Sequence, residues 1–251
     1  MPGITYDAPV LTFIVIPVAL AAAFGWGVHA AWRRRQPAFP HSASAVRAAC
    51  LALAAAAAWM TVTWLAATSG ILQRWETTPP PFALLVLSII TIAVAVAASP
   101  LGGALAALPL WMLIAVQGFR LPLELAMHAM YERGVMPVQM SYSGRNFDIV
   151  TGATALVVAY LVATRRAGPR VAFAWNSVGL GLLLNVVIVA IVGTPRIRYF
   201  GDDFLNTWVT YPPFVWLPAV MVLAALLGHL LIFRAISRSA VSTPSPAARA
   251  L

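Results

Sequence analysis

"LALAAAAAWM", residues 51–60, contains no charge and no alternation of apolar with polar side chains. A strand of a membrane barrel alternates with a period of two, facing lipid and lumen in turn. This run is apolar all round, and so is "LLLNVVIVAIVG" at residues 182–193 apart from Asn185. In lipid such a segment must pair its own backbone groups, and a helix does so. The rest of the chain fits that reading. It has 251 residues, 61% hydrophobic and 9% charged, where a soluble domain carries roughly 25% charged residues. A soluble fold of this length has too little interior to hide so much apolar surface. The sequence therefore predicts an all-α, polytopic transmembrane bundle with the lipid bilayer as its solvent.

A span needs about 20 mostly apolar residues to cross roughly 30 Å of hydrocarbon. Seven runs meet this, at about 9–32, 45–70, 81–99, 103–123, 147–164, 171–193 and 213–233. They form one domain over residues 1–236, with no linker and no inverted repeat. The tail, residues 237–251, is rich in Ser, Pro and Ala and is expected to be disordered. Alternate loops of a seven-helix bundle share a side. One set holds ten of the sixteen arginines and no acid, among them Arg33, Arg34, Arg35, Arg165, Arg166 and Arg234. The other holds the remaining arginines and every Asp and Glu. The positive-inside rule then places the N-terminus outside and the C-terminus in the cytoplasm. The first run is no cleaved signal peptide on this pattern, because Asp7 precedes it and the arginines follow it. Abundant Ala, Arg, Gly and Pro with no Lys suggests a GC-rich bacterial genome, hence a multi-pass protein of the bacterial cytoplasmic membrane. The formal charge of +9 sits in short loops, so topology explains it and a nucleic-acid partner is not expected.

The most polar stretch is "GFRLPLELAMHAMYERGVMPVQMSYSGRNFDI", residues 118–149. If the fourth span starts near residue 103, Arg120 lies about 26 Å up the helix, near the outer boundary. Glu124 and His128 follow at i+4 and i+8 on the same face. Pro122 cannot donate to the carbonyl of Gly118, which makes Gly118 and Pro122 a candidate hinge. Asp148 falls in the first turn of the fifth span, where a carboxylate suits the helix dipole. Two readings share these residues. In an ion-pair lattice, Arg120 pairs with Glu124 and Arg145 with Asp148 or Glu132, which removes most of the cost of charge in lipid. In a ligand site, Arg120, Glu124, His128, Glu132, Arg145, Asn146 and Asp148 surround a small solute. The arginines then hold an anionic group while Glu124 or His128 moves a proton.

Other polar positions are weaker signals. His29 and His229 lie four and five residues before arginines of the same side, so they are expected at similar depth, where a histidine pair can ligate haem. Hydrogen bonding of each to its neighbours is the simpler reading. Asn176 and Asn185 suggest interhelical hydrogen bonds. Asp202 and Asp203 without further oxygen ligands make a poor cation site. Pro17 and Pro218 should bend their spans. The absence of Lys excludes a retinal Schiff base. No phosphate-binding loop, no tight histidine spacing for zinc and no nucleophile elbow is present. One cysteine, Cys50, excludes an internal disulfide.

The F-R…E…H pattern, the following P-V-Q-M and G-R-N-F-D-I, and the later "PPFVWLP" and "GHLLIFR" resemble a group of bacterial multi-span membrane proteins with no assigned activity. The resemblance covers residues 117–155 and the last span. It implies a helical membrane bundle and carries over no functional residue. Taken together, the sequence leads to an integral membrane protein with a polar, outer-facing site between the fourth and fifth spans. The site is expected to bind a small solute, possible anions included, in a transporter or sensor. A membrane enzyme or haem-binding redox subunit, and an assembly partner for a periplasmic protein, are the alternatives.

Overall fold

A computed structural model describes residues 6–35 and 43–241. Among them every regular element is helical. The first three long helices are α1 (Ala8–Arg35), α2 (Ala43–Thr68) and α3 (Pro81–Ala98). A six-residue helix, α4 (Pro100–Leu105), follows at once, capped by the Ser99 hydroxyl, which accepts from the Gly102 N–H at 3.1 Å. The chain then runs through α5 (Leu110–Val116), a 3-10 turn (Gln117–Phe119) and α6 (Arg120–Glu132). These three act as one apolar helix of 23 residues, Leu110–Glu132. Beyond a folded loop come α7 (Ile149–Ala163), α8 (Pro169–Val192), a wide π-helical turn (Leu217–Val222) and α9 (Leu223–Val241).

Six of these helices are long and apolar enough to cross a membrane, the last being Leu217–Arg238. The fifth expected span corresponds to α7, which at 15 residues falls short of that length. The fourth is displaced. It was expected over 103–123 and runs instead from Leu110 to Glu132, with α4 split off before it. Residues 237–241 of the expected tail continue α9, and residues 242–251 lie outside the described residues.

Large apolar side chains cover the outer surface: Val15, Leu51, Leu87, Leu156, Val178 and Ile188 are all exposed. Water would penalise that arrangement and lipid does not, so the bundle is an integral membrane protein. The helix Leu110–Glu132 and the last span form the centre. The α1 and α2 pair flanks them on one side. Helices α3 and α8 each pack against the last span, and α7 packs along α5 and α6. Helices associate in lipid through close packing more than through apolar burial, so small residues set their approach. Gly152 of α7 shows this: a Cβ there would lie 2.3 Å from the Leu121 backbone nitrogen of α6.

Each end of the bundle is tied by its own polar contacts. At one end Arg35 donates to the Pro100 carbonyl at 3.2 Å, Arg234 donates to the Ala97 and Ser99 carbonyls, and Arg238 donates to the Gly103 carbonyl. Of these carbonyls, Ala97 and Ser99 lie at the end of α3, where the helix dipole is negative and a cation is favoured. At the other end Arg133 binds Asp7 at 2.7 Å, Arg196 donates to the Thr78 hydroxyl at 3.1 Å and Gln73 donates to the Thr210 carbonyl at 2.5 Å. Pro218 lies in the wide turn, and the neighbouring Ala219 carbonyl accepts from the Trp59 indole at 2.8 Å. The Thr61, Thr63 and Ser88 hydroxyls bond to carbonyls of their own helices, as side chains with no polar neighbour do in lipid.

Candidate functional site

The shift of the fourth span changes the depth of Arg120. It is the first residue of α6, and at 1.5 Å per residue it stands about 15 Å above Leu110, not 26 Å above an inner loop. Helix α7 runs antiparallel beside it, with Gly152 against Leu121 and Gly118 against Leu156. Asp148, at the start of α7, therefore stands about 22 Å above Ala163, level with Glu124. The loop between α6 and α7 folds down into the bundle, burying Met136, Gln139, Met140, Ser141 and Asn146.

Four side chains converge there. Arg120, Glu124, Asn146 and Asp148 are 1%, 2%, 0% and 4% exposed. An Arg120 Nη1 lies 3.1 Å from Asp148 Oδ1. Asn146 donates from Nδ2 to Glu124 Oε2 at 2.8 Å and to the Met140 carbonyl at 3.0 Å, while its Oδ1 accepts from the Asp148 N–H at 3.0 Å. Asn146 thus holds the Glu124 carboxylate and, beside it, the backbone of Asp148. The expected pairing is corrected at two points. Arg120 bonds Asp148 on the next helix, not Glu124 one turn on. Arg145 joins neither carboxylate: its side chain is exposed and its Cζ lies 5.5 Å from the centroid of the Phe200 ring. The ion pair thus crosses between helices, while Glu124 is bonded by Asn146.

His128 and Glu132 form a separate, shallower group. His128 Nδ1 is 2.8 Å from the Ser141 hydroxyl, its ring stacks on Tyr142 at 4.3 Å, and its Nε2 is 3.6 Å from Glu132 Oε1. Pro122 falls in the first turn of α6, just after the 3-10 turn that contains Gly118. The 3-10 turn and Pro122 thus interrupt regular α-helical hydrogen bonding on either side of Arg120.

Several buried polar groups around the cluster escaped the sequence reading. Gln117 and Thr151 are 0% and 2% exposed, and Gln117 Oε1 has no hydrogen-bond partner. Thr151 follows Asp148 by three residues on a helix, which was a usable signal. Gln117 precedes Arg120 by three in the same way. His229 is buried in the last span and shares two contacts with Asn176: its Nδ1 is 2.7 Å from Asn176 Oδ1, and its carbonyl accepts from Asn176 Nδ2 at 3.1 Å. A Cβ on Gly179 would meet both His229 and Thr151. The hydrogen bonds and ring contact of His229 are thus to α8, and His29, half-buried on α1, is in none of them. Asn185 donates to the Arg145 carbonyl at 2.7 Å and pins the loop.

Arg120, Glu124, Asn146 and Asp148 line part of a cavity of about 110 Å³. The remaining walls are apolar and come from α3, α6, α8 and the last span, with Val86, Val187 and Met221 among them. Arg120 offers its donors poorly satisfied: neither Nε nor either Nη makes a hydrogen bond of good geometry, the Nη1 contact with Asp148 being an ion pair alone. A buried guanidinium carries five N–H donors, and leaving them unmatched is costly. Among the described residues no group of three or more His, Cys, Asp or Glu side chains could hold a metal ion. The chain matches no protein-family profile, no curated protein and no solved structure.

Proposed function

We propose that this integral membrane protein binds a small solute at the Arg120–Glu124–Asn146–Asp148 cluster, as a transporter or sensor of the bacterial cytoplasmic membrane. Its N-terminus faces outside and its C-terminus the cytoplasm, an orientation supported by the arginine distribution. The observation that carries the reading is the Arg120 guanidinium, 1% exposed, lining a cavity with hydrogen-bond donors left over. An ion-pair lattice alone would close those donors on carboxylates. Here one guanidinium faces two carboxylates, one of them held by Asn146. The Asp148 carboxylate already paired with Arg120 argues against a simple anion and for a solute whose head accepts from Arg120 and donates to Glu124 or Asp148. The outer group of His128 and Glu132 stands between the cluster and the acid-bearing end, and serves as a proton route to it.

Thermal unfolding of the purified protein tests the reading. The panel is acetate, phosphate and acetamide, together with decanoate, decyl phosphate and decanamide. At least one is expected to raise the melting temperature of the parent and not of Arg120→Lys, which keeps the charge but loses the planar fork of donors. If none of the six distinguishes the two proteins, the site does not bind solute.

A further inference from the structure

The cavity has a direction. Three of its lining side chains, Ile90 of α3 and Leu184 and Ile191 of α8, are also exposed on the outer surface of the bundle at 43%, 48% and 36%. Helices α3 and α8 both pack on the last span and both line the cavity, so its exposed lining side chains put its mouth between them. That surface is the apolar belt that faces lipid. The polar cluster is therefore at the closed end of an apolar slot whose mouth is in the bilayer.

We infer that the site is loaded sideways from the membrane, and that its ligand is a lipid-soluble amphiphile with an uncharged, hydrogen-bonding head. This rests on the solute-binding reading above and names the class of ligand. The slot walls, with Val86, Ile90, Leu184 and Val187 at the mouth, offer nothing to a hydrated solute and everything to an alkyl or isoprenoid tail. A hydrated ion entering that way would shed its water against apolar side chains, at high cost. At the closed end, Arg120 Nε and Nη2 are donors without acceptors, suited to a carbonyl or ether oxygen. The Glu124 and Asp148 carboxylates beside them are acceptors, suited to a hydroxyl or amide N–H. A head with a full negative charge would compete with the Asp148 carboxylate already paired with Arg120. A neutral head with one acceptor and one donor matches the set.

The test uses full-length protein in phosphatidylcholine nanodiscs and a dodecyl-chain primary amide carrying a photoreactive diazirine in mid-chain. Peptide mapping after irradiation is expected to place the label on Val86–Ile90 of α3 and Leu183–Ile191 of α8. Unlabelled amide should compete, and the same tail with a carboxylate head should compete less well. Labelling should fall roughly tenfold in Leu184→Trp, which fills the mouth from the lipid side without touching the cluster, and in Arg120→Lys, a loss equivalent to one charged hydrogen bond. Label scattered over the lipid-facing surface, uncompeted and unchanged in both variants, would overturn the inference. The two readings fail differently. If tailless acetamide stabilises the parent and not Arg120→Lys while the tailed amide labels the surface at random, solute binding stands and lateral loading is wrong. If neither probe depends on Arg120, both are wrong.

Discussion

Arg120→Gln and Asp148→Asn, made singly and together, probe the ion pair at the heart of the bundle. The two charges lie 3.1 Å apart and the side chains are 1% and 6% exposed. At an effective dielectric of about 20 they attract by roughly 5 kcal/mol. Against this stands the cost of having removed both from water, so the pair adds far less than that to the fold. Removing one partner leaves the other buried and uncompensated, which costs about 3–5 kcal/mol. Removing both leaves two neutral amides and no uncompensated buried charge from this pair, and is expected to cost less than either single change. The cycle should therefore show a coupling at least as large as a single loss, about 3 kcal/mol or more. Reversible unfolding in mixed micelles, followed by the fluorescence of the nine tryptophans, supplies the four stabilities. Single losses that simply add, to within about 0.5 kcal/mol, would refute the pairing across α6 and α7.

Three further outcomes follow from particular contacts. Asn146→Ala removes two donated bonds and one accepted bond at 2.8–3.0 Å and strands Glu124; a loss of about 2–4 kcal/mol is expected in the same unfolding assay, given the modest worth of hydrogen bonds in membrane bundles. Gly152→Val forces a side chain onto the Leu121 backbone nitrogen, where neither partner can rotate away; destabilisation of about 1–3 kcal/mol with reduced folded yield should result. Outside the membrane, the hydrogen bond from Arg133 holds the Asp7 carboxyl below its ordinary value. A depressed carboxyl contributes stability at pH above its unfolded value, about 4, and loses it as pH falls through the folded one. Thermal melts of the parent between pH 6 and 3 should therefore fall more steeply than those of Arg133→Gln.

Much of the fold was legible in residue order. The runs at 9–32, 45–70, 81–99 and 171–193 became Ala8–Arg35, Ala43–Thr68, Pro81–Ala98 and Pro169–Val192, because apolar length alone fixes a span. The fourth span was misplaced for a physical reason. Arg120 and Glu124 looked like the end of an apolar segment, since charge is costly in lipid. Asp148 and Asn146 arrive from the next helix and loop to cover them, and the helix continues to Glu132. Pro109, just before Leu110, was the signal for the true start. Of the expected site residues, Arg120, Glu124, Asn146 and Asp148 meet. His128 and Glu132 gather in a shallower group, and Arg145 turns to Phe200. Sequence spacing places residues on a helix face but says nothing of how a loop folds back, and the loop decides all three. The slot between α3 and α8 depends on which helices leave a gap, and no run of residues carries that.

The most direct measurement is a structure of the protein in lipid nanodiscs saturated with the dodecyl amide. Density for the amide head within hydrogen-bonding distance of the Arg120 guanidinium, with its tail leaving between Ile90 and Leu184, is the predicted result. An empty slot with Arg120 closed onto both Glu124 and Asp148, and amide density only in the surrounding lipid, would contradict it.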